Sequence, residues 1–100
     1  MDNVIIYKIT NIVSGKIYIG QTKNLKERWR VHCYWAKVGR GGAPIHKAIR
    51  SYGKDSFKVE VLVDKISREY ANIKEVELIA LYKANHRDFG YNVTIGGKGH

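Results

Sequence analysis

The hundred residues hold one cysteine, one proline and one methionine, and half as many acidic residues as basic ones. Cys33 has no partner for an internal disulfide, so a reducing cytosolic or nucleoid setting fits the chain best. His46, His86 and His100 stand at no spacing to one another or to Cys33 that suits zinc, which excludes a zinc site. No uncharged run approaches the length that spans a bilayer, and no segment has the sustained apolar stripe of an interfacial helix, so a membrane partner is not expected. The opening Met1-Asp2-Asn3 is not the start of a secretory leader, and the chain is not expected to be secreted. Internal repeats and low-complexity stretches are also missing.

What is present in excess is positive charge. Eighteen Lys and Arg against nine acids give a formal charge of +9. The imbalance is local: residues 1–50 carry ten bases and only Asp2 and Glu27, whereas residues 51–100 carry eight bases and seven acids. A field concentrated on one half of a small domain suits a polyanionic partner, and nucleic acid ranks first. The apolar share of 44% is ordinary for a folded chain, and the length allows one core but no separate reader domain.

The pattern along the chain is strand, strand, helix, helix, strand, helix. Ile5 to Thr10 and Lys16 to Thr22 read as hairpin arms around Ser14-Gly15, each with a tyrosine inside an apolar run. Asn24, three residues before Glu27, forms an approximate capping box for a helix from about Leu25 to Val38, with Leu25, Trp29, Cys33 and Ala36 as its buried stripe. Cys33 is read there as a small buried thiol. Pro44, the lone proline, suits the first turn of a shorter helix that ends at Gly53. Phe57, Val59, Val61 and Val63 alternate with more polar neighbours, as in a third strand with one buried face. Ser67 caps a helix expected to reach Asn85, apolar nearly all round and hence a packed central helix. Gly90-Tyr91-Asn92 and Val93 to Ile95 return to an extended segment. The fold class is α+β, a small antiparallel three-stranded sheet flanked by helices, with residues 1–95 as the domain and 96–100 as a tail or the start of a linker.

Most polar candidates have an ordinary explanation when taken singly. Tyr7 and Tyr18 sit in strands, where tyrosine packs well. Gly20 shares a face with Tyr18 and weakens the strand, unless a ligand or backbone must come close there. Arg28 and His32, four residues apart, share a helix face. Glu75 has Ala71, Leu78, Ile79 and Tyr82 as face neighbours, and a carboxylate so placed is costly unless paired, protonated or metal-bound. Arg68, one strip away, is available as an ion-pair partner. Glu77 reads as a surface acid. Gly96-Gly97-Lys98 has no strand-turn-helix context and is not a phosphate loop.

In combination these residues resemble the GIY-YIG nuclease family over nearly the whole chain. Its two tripeptides correspond to Ile5-Ile6-Tyr7 and Tyr18-Ile19-Gly20. Its helix motif corresponds to Lys23-Asn24-Leu25 followed by Arg28 and His32. Its glutamate falls on Glu75 and its closing tripeptide on Gly90-Tyr91-Asn92. Two positions depart from the pattern: Ile5 replaces the usual glycine, and Leu78 stands where many relatives have tryptophan.

The resemblance implies hydrolysis of a DNA phosphodiester with one divalent metal, Mg²⁺ or Mn²⁺, on Glu75. Arg28 would grip the phosphate oxygens. Tyr7 would take a proton from the attacking water, although a phenolate at pH 7 costs roughly 4 kcal/mol for a pKa of ~10. His32, the metal or the positive field would offset that. Tyr18 would bind the phosphate or the water, its role and that of Tyr7 as the base not being ranked by sequence, and Asn92 would orient the site. Lys23, Lys26, Arg30 and Arg40, with the open surface at Gly20, would hold the backbone of double-stranded DNA. A homing-type endonuclease module is the leading reading, with a separate or missing specificity domain. A restriction or repair nuclease, a non-catalytic nucleic-acid-binding domain and a basic structural protein are the alternatives.

Overall fold

The structure, a computed structural model, describes residues 2–39 and 42–97. Strands β1 (Val4–Asn11) and β2 (Ile17–Thr22) pair antiparallel, with Tyr7 opposite Gly20 and Ile9 opposite Tyr18. The turn closes through Gly15 N–H to the Asn11 carbonyl at 2.7 Å, with Gly15 at a φ of 82°. Asn11 Oδ1 also accepts from the Val13 and Ser14 amides, an Asx-type turn. Strand β3 (Phe57–Ile66) pairs antiparallel with β1, so the sheet order is β2-β1-β3 and β2 is an outer strand.

Helices cover both faces. On one lie α1 (Leu25–Val38) and α2 (Pro44–Tyr52), which enclose Tyr7, Ile9, Ala36, Ile45, Ala48 and Ile49. On the other, α3 (Arg68–Tyr82) packs Ala71 and Ile79 against Val4, Ile6, Ile17 and Ile19. Neighbouring residues of one strand therefore contribute to different cores, as the two-residue period requires. Among the described residues no helix is long and apolar enough to cross a membrane.

Several local expectations change in three dimensions. Asn24 Oδ1 accepts from Glu27 N–H at 3.1 Å, but the box is half-formed, since Glu27 turns to Arg30 and the Asn24 amide donates to Thr22 Oγ1. His32, not Cys33, is buried on α1 beside Ala36, because the face toward the sheet is set by the tyrosines it meets. The alternation in β3 breaks at a bulge: Tyr7 faces Val61 while Ile6 faces Val63, so Leu62 is an extra residue. Val61 is consequently 49% exposed, and Leu62 and Val63 both pack toward α3.

Helix α3 is not a central helix and stops at Tyr82, where Lys83 takes a left-handed conformation. The sheet touches only one side of it, so Ala71, Glu75 and Ile79 are buried while Tyr70, Ile73 and Leu81 face outward. The extended segment expected after Gly90 is a single parallel bridge, Gly90 to Ile17, closed by Tyr91 N–H to the Ile17 carbonyl at 2.8 Å.

Candidate active site

Tyr7 is almost wholly buried, and its phenol lies 2.9 Å from His32 Nε2. The ring fits because the facing residue is Gly20. A Cβ there would stand 2.5 Å from Tyr7 Oη, 2.6 Å from Cζ and 3.0 Å from Tyr18 Cε2. The close approach at Gly20 thus comes first from within the protein. Tyr18 completes the cluster, its ring centroid 6.3 Å from that of Tyr7 and 5.5 Å from that of His32.

Beyond His32 the bonding continues, since Nδ1 lies 2.9 Å from His46 Nε2 on α2. A neutral imidazole has one donor and one acceptor nitrogen. With Tyr7 donating to Nε2, Nδ1–H donates to His46, and the whole line Tyr7–His32–His46 is ordered in one direction. His46 Nδ1 is buried and has no partner among the described residues. The sequence reading set His46 aside when zinc was rejected. No local pattern links it to His32, which lies on another helix.

The resting electrostatics oppose ionisation of this line. Burial pushes the Tyr7 phenol far above its ordinary value, with the neighbouring Tyr18 and Glu75 adding to the shift. Burial likewise raises Tyr18, with Glu75 acting in the same direction. Arg28 acts in the opposite direction on both phenols. Burial drives His32 down to about 3, helped by His46 and Arg28, so the ring is neutral at pH 7.

Glu75 approaches β2 from the other face. Its Oε1 accepts from Gln21 Nε2 at 2.8 Å and from the Gly97 amide at 2.9 Å. Arg68, available as an ion-pair partner, does not pair with Glu75; its guanidinium donates to Gln21 Oε1, turning the Gln21 amide group toward the carboxylate. Gln21, unmarked in the sequence reading, follows Gly20 on the strand and so points to the face where Glu75 lies. Gly96 and Gly97, the described part of the segment expected as a tail, lie against Glu75, Ile79 and Val76. Among the described residues nothing donates to Glu75 Oε2. One buried carboxylate with an open oxygen fits a hard cation that keeps most of its water, such as Mg²⁺ or Mn²⁺. No group of three or more His, Cys, Asp or Glu gathers among the described residues to form a protein cage.

Asn92 clamps the outer strand between these two clusters. Its Oδ1 accepts from Ile19 N–H and its Nδ2 donates to the Ile19 carbonyl, both at 2.8 Å. The Ile19 backbone, with Tyr18 before it and Gly20 after it, is thereby fixed without another strand.

The basic candidates separate. Lys23 and Arg28 line a groove of about 530 Å³ with Gln21 and Arg68 at the end of β2. Lys26 and Arg30, each two positions from Arg28, point to the far side of α1. There Arg30 is paired with Glu27 at 2.5 Å. Arg40 lies outside the described residues.

Comparison with known proteins shows the family and the fold. Residues 3–92 match the GIY-YIG catalytic domain. The chain is 38% identical over 95 residues to segD, an inferred endonuclease of Enterobacteria phage T4, covering 95% of this chain and 39% of that protein. It is 29% identical over 90 residues to intron-associated endonuclease 1 of the same phage, covering 89% and 36%. The chain therefore spans about two-fifths of the length of these curated relatives. A mutant of the catalytic domain of the intron endonuclease I-TevI shares the fold with a TM-score of 0.82 at 20% identity, over 94% of this chain and 96% of that one.

Proposed function

The chain belongs to the GIY-YIG family, and from that premise we propose that it is the catalytic part of a homing-type endonuclease that hydrolyses phosphodiester bonds of double-stranded DNA with a divalent metal. The observation that carries this reading is the 2.9 Å bond between Tyr7 Oη and His32 Nε2, beside an Arg28 whose charge favours the phenolate. Tyr7 takes a proton from the attacking water while its own proton passes to His32 Nε2. The two transfers are coupled and the His32 Nδ1 proton moves on to His46 Nε2, so neither a phenolate nor a His32 imidazolium accumulates in the buried site and the charge comes to rest on the half-buried His46. Tyr18, whose hydroxyl has no protein partner among the described residues, binds the phosphate or holds the water. Arg28 grips the non-bridging oxygens, where its fork geometry matches a phosphate. Glu75 would hold the Mg²⁺ or Mn²⁺ ion, whose chemistry is to neutralise charge on the phosphate and the departing oxygen. Asn92 positions the Tyr18–Gly20 backbone. Target choice is supplied from outside these hundred residues.

Nicking of supercoiled plasmid at low salt, with Mg²⁺ or with chelator, tests the reading. The native chain should nick only with metal, and Glu75→Ala and Tyr7→Phe should both lose that activity. A native chain that binds the plasmid yet never cuts it with Mg²⁺ or Mn²⁺ is instead a nucleic-acid-binding domain that kept the fold.

A further inference from the structure

A second groove, of about 640 Å³, opens at the start of β2 between α2 and the segment that follows α3. Three cations from three separate elements line it: Lys16 from the hairpin, Lys47 from α2 and Arg87 from the loop after α3. No acidic residue lines it, and none of the three forms an ion pair among the described residues. Nearby Asp88 lies 3.9 Å from His86, outside the groove. Tyr52 and Tyr91 stand among the cations, with Lys16 Nζ 6.0 Å from the Tyr91 ring centroid. Asn92 also lines the groove, and through its bonds to Ile19 the groove adjoins Tyr18 and Gly20.

We propose that Lys16, Lys47 and Arg87 form a second backbone-phosphate track for the DNA duplex, on the opposite side of the tyrosine cluster from Lys23 and Arg28. The proposal rests on the endonuclease reading above. Lys16 and Lys23 flank the outer strand, and seven residues at ~3.3 Å each separate them by about 23 Å. That distance corresponds to roughly seven base pairs of duplex, at 3.4 Å of axis per pair, so the strand would place the site between two held stretches of backbone. The basic hollow on the far side of α1 lacks this connection. It is lined by Arg30, Lys37, Arg50 and Lys54, of which Arg30 is engaged by Glu27 and Arg50 by the Ala36 carbonyl.

The test compares two doubly substituted chains of equal net charge, Lys16→Gln/Lys47→Gln and Lys37→Gln/Lys54→Gln. Anisotropy of a short labelled duplex, titrated without divalent metal over a range of salt, gives affinity and salt slope. Each lost phosphate contact lowers the slope by about 0.9, and the first pair should bind about 60-fold more weakly at 0.1 M salt. The second pair should stay near the native chain. Arg87→Gln alone, on an exposed loop, should lose about 8-fold. Equal losses in the two pairs would overturn the track and leave the endonuclease reading in place. A native chain that binds no duplex would overturn both.

Discussion

Gly20→Ala is the sharpest perturbation of the site, because it adds one methyl group and removes nothing. The new Cβ would lie 2.5–2.6 Å from the Tyr7 phenol, where ordinary contact begins at 3.4 Å. The ring must therefore retreat by about 1 Å, within a core where overpacking costs about 1–3 kcal/mol. Such a retreat displaces Tyr7 Oη from its 2.9 Å contact geometry with His32 Nε2. A misplacement of ~1 Å in a reacting group lowers rates by roughly a hundredfold. The assay is metal-dependent plasmid nicking, with urea unfolding under the same conditions to separate lost fold from lost geometry. Gly42→Ala is the control, since a Cβ there meets nothing within 4 Å. The expected result is a folded Gly20→Ala chain, less stable by 1–3 kcal/mol and about a hundredfold slower, with Gly42→Ala unchanged. A Gly20→Ala chain with native rate and native unfolding midpoint would refute the argument that glycine makes room for Tyr7.

Three further outcomes are expected. His32 is held neutral in the fold with its pKa near 3, while the unfolded chain takes the proton below ~6.5, so stability is full above that value and falls with pH beneath it. At pH 5 the loss from His32 is about 2 kcal/mol, with His46 adding in the same direction; thermal melts at pH 7.5 and 5 should differ by about 10 °C, and His32→Gln should remove most of the difference. Asn92→Ala leaves the Ile19 N–H and carbonyl without their partners and should cost about 1–3 kcal/mol in urea unfolding. Asn92→Asp should be no better, because a carboxylate oxygen then faces the Ile19 carbonyl. His46→Ala should lower kcat about tenfold or more with little change in KM and shift the pH–rate profile, since His32 loses the partner that fixes its orientation; an unshifted profile would remove His46 from the line.

The elements of this protein follow from interactions that close within a few residues. The hairpin is set by Asn11, Gly15 and the tyrosine-bearing arms, α1 by Asn24 and Gly39, α2 by Pro44 and Gly53, and the start of α3 by Ser67. The spacing of Arg28 to His32 and the odd placing of Glu75 are of the same kind, yet singly each had an ordinary explanation, and only the resemblance of all the motifs in order to the GIY-YIG pattern marked them as a candidate site.

Relations between elements were not legible in the sequence. Tyr7 meets His32 across 25 positions, Gln21 meets Glu75 across 54 and Asn92 meets Ile19 across 73. Only packing decides that His32 rather than Cys33 turns inward, that a bulge at Leu62 exposes Val61, and that one side of α3 is left uncovered. It also decides which lysines converge, because a helix or strand period reports the face a residue shares with its neighbours and never what stands opposite that face. The amino-acid order by itself determined the parts and their chemistry; tertiary structure decided that β2, an outer strand held by Asn92 at Ile19 and by the Gly90–Tyr91 backbone at Ile17, would be where they meet.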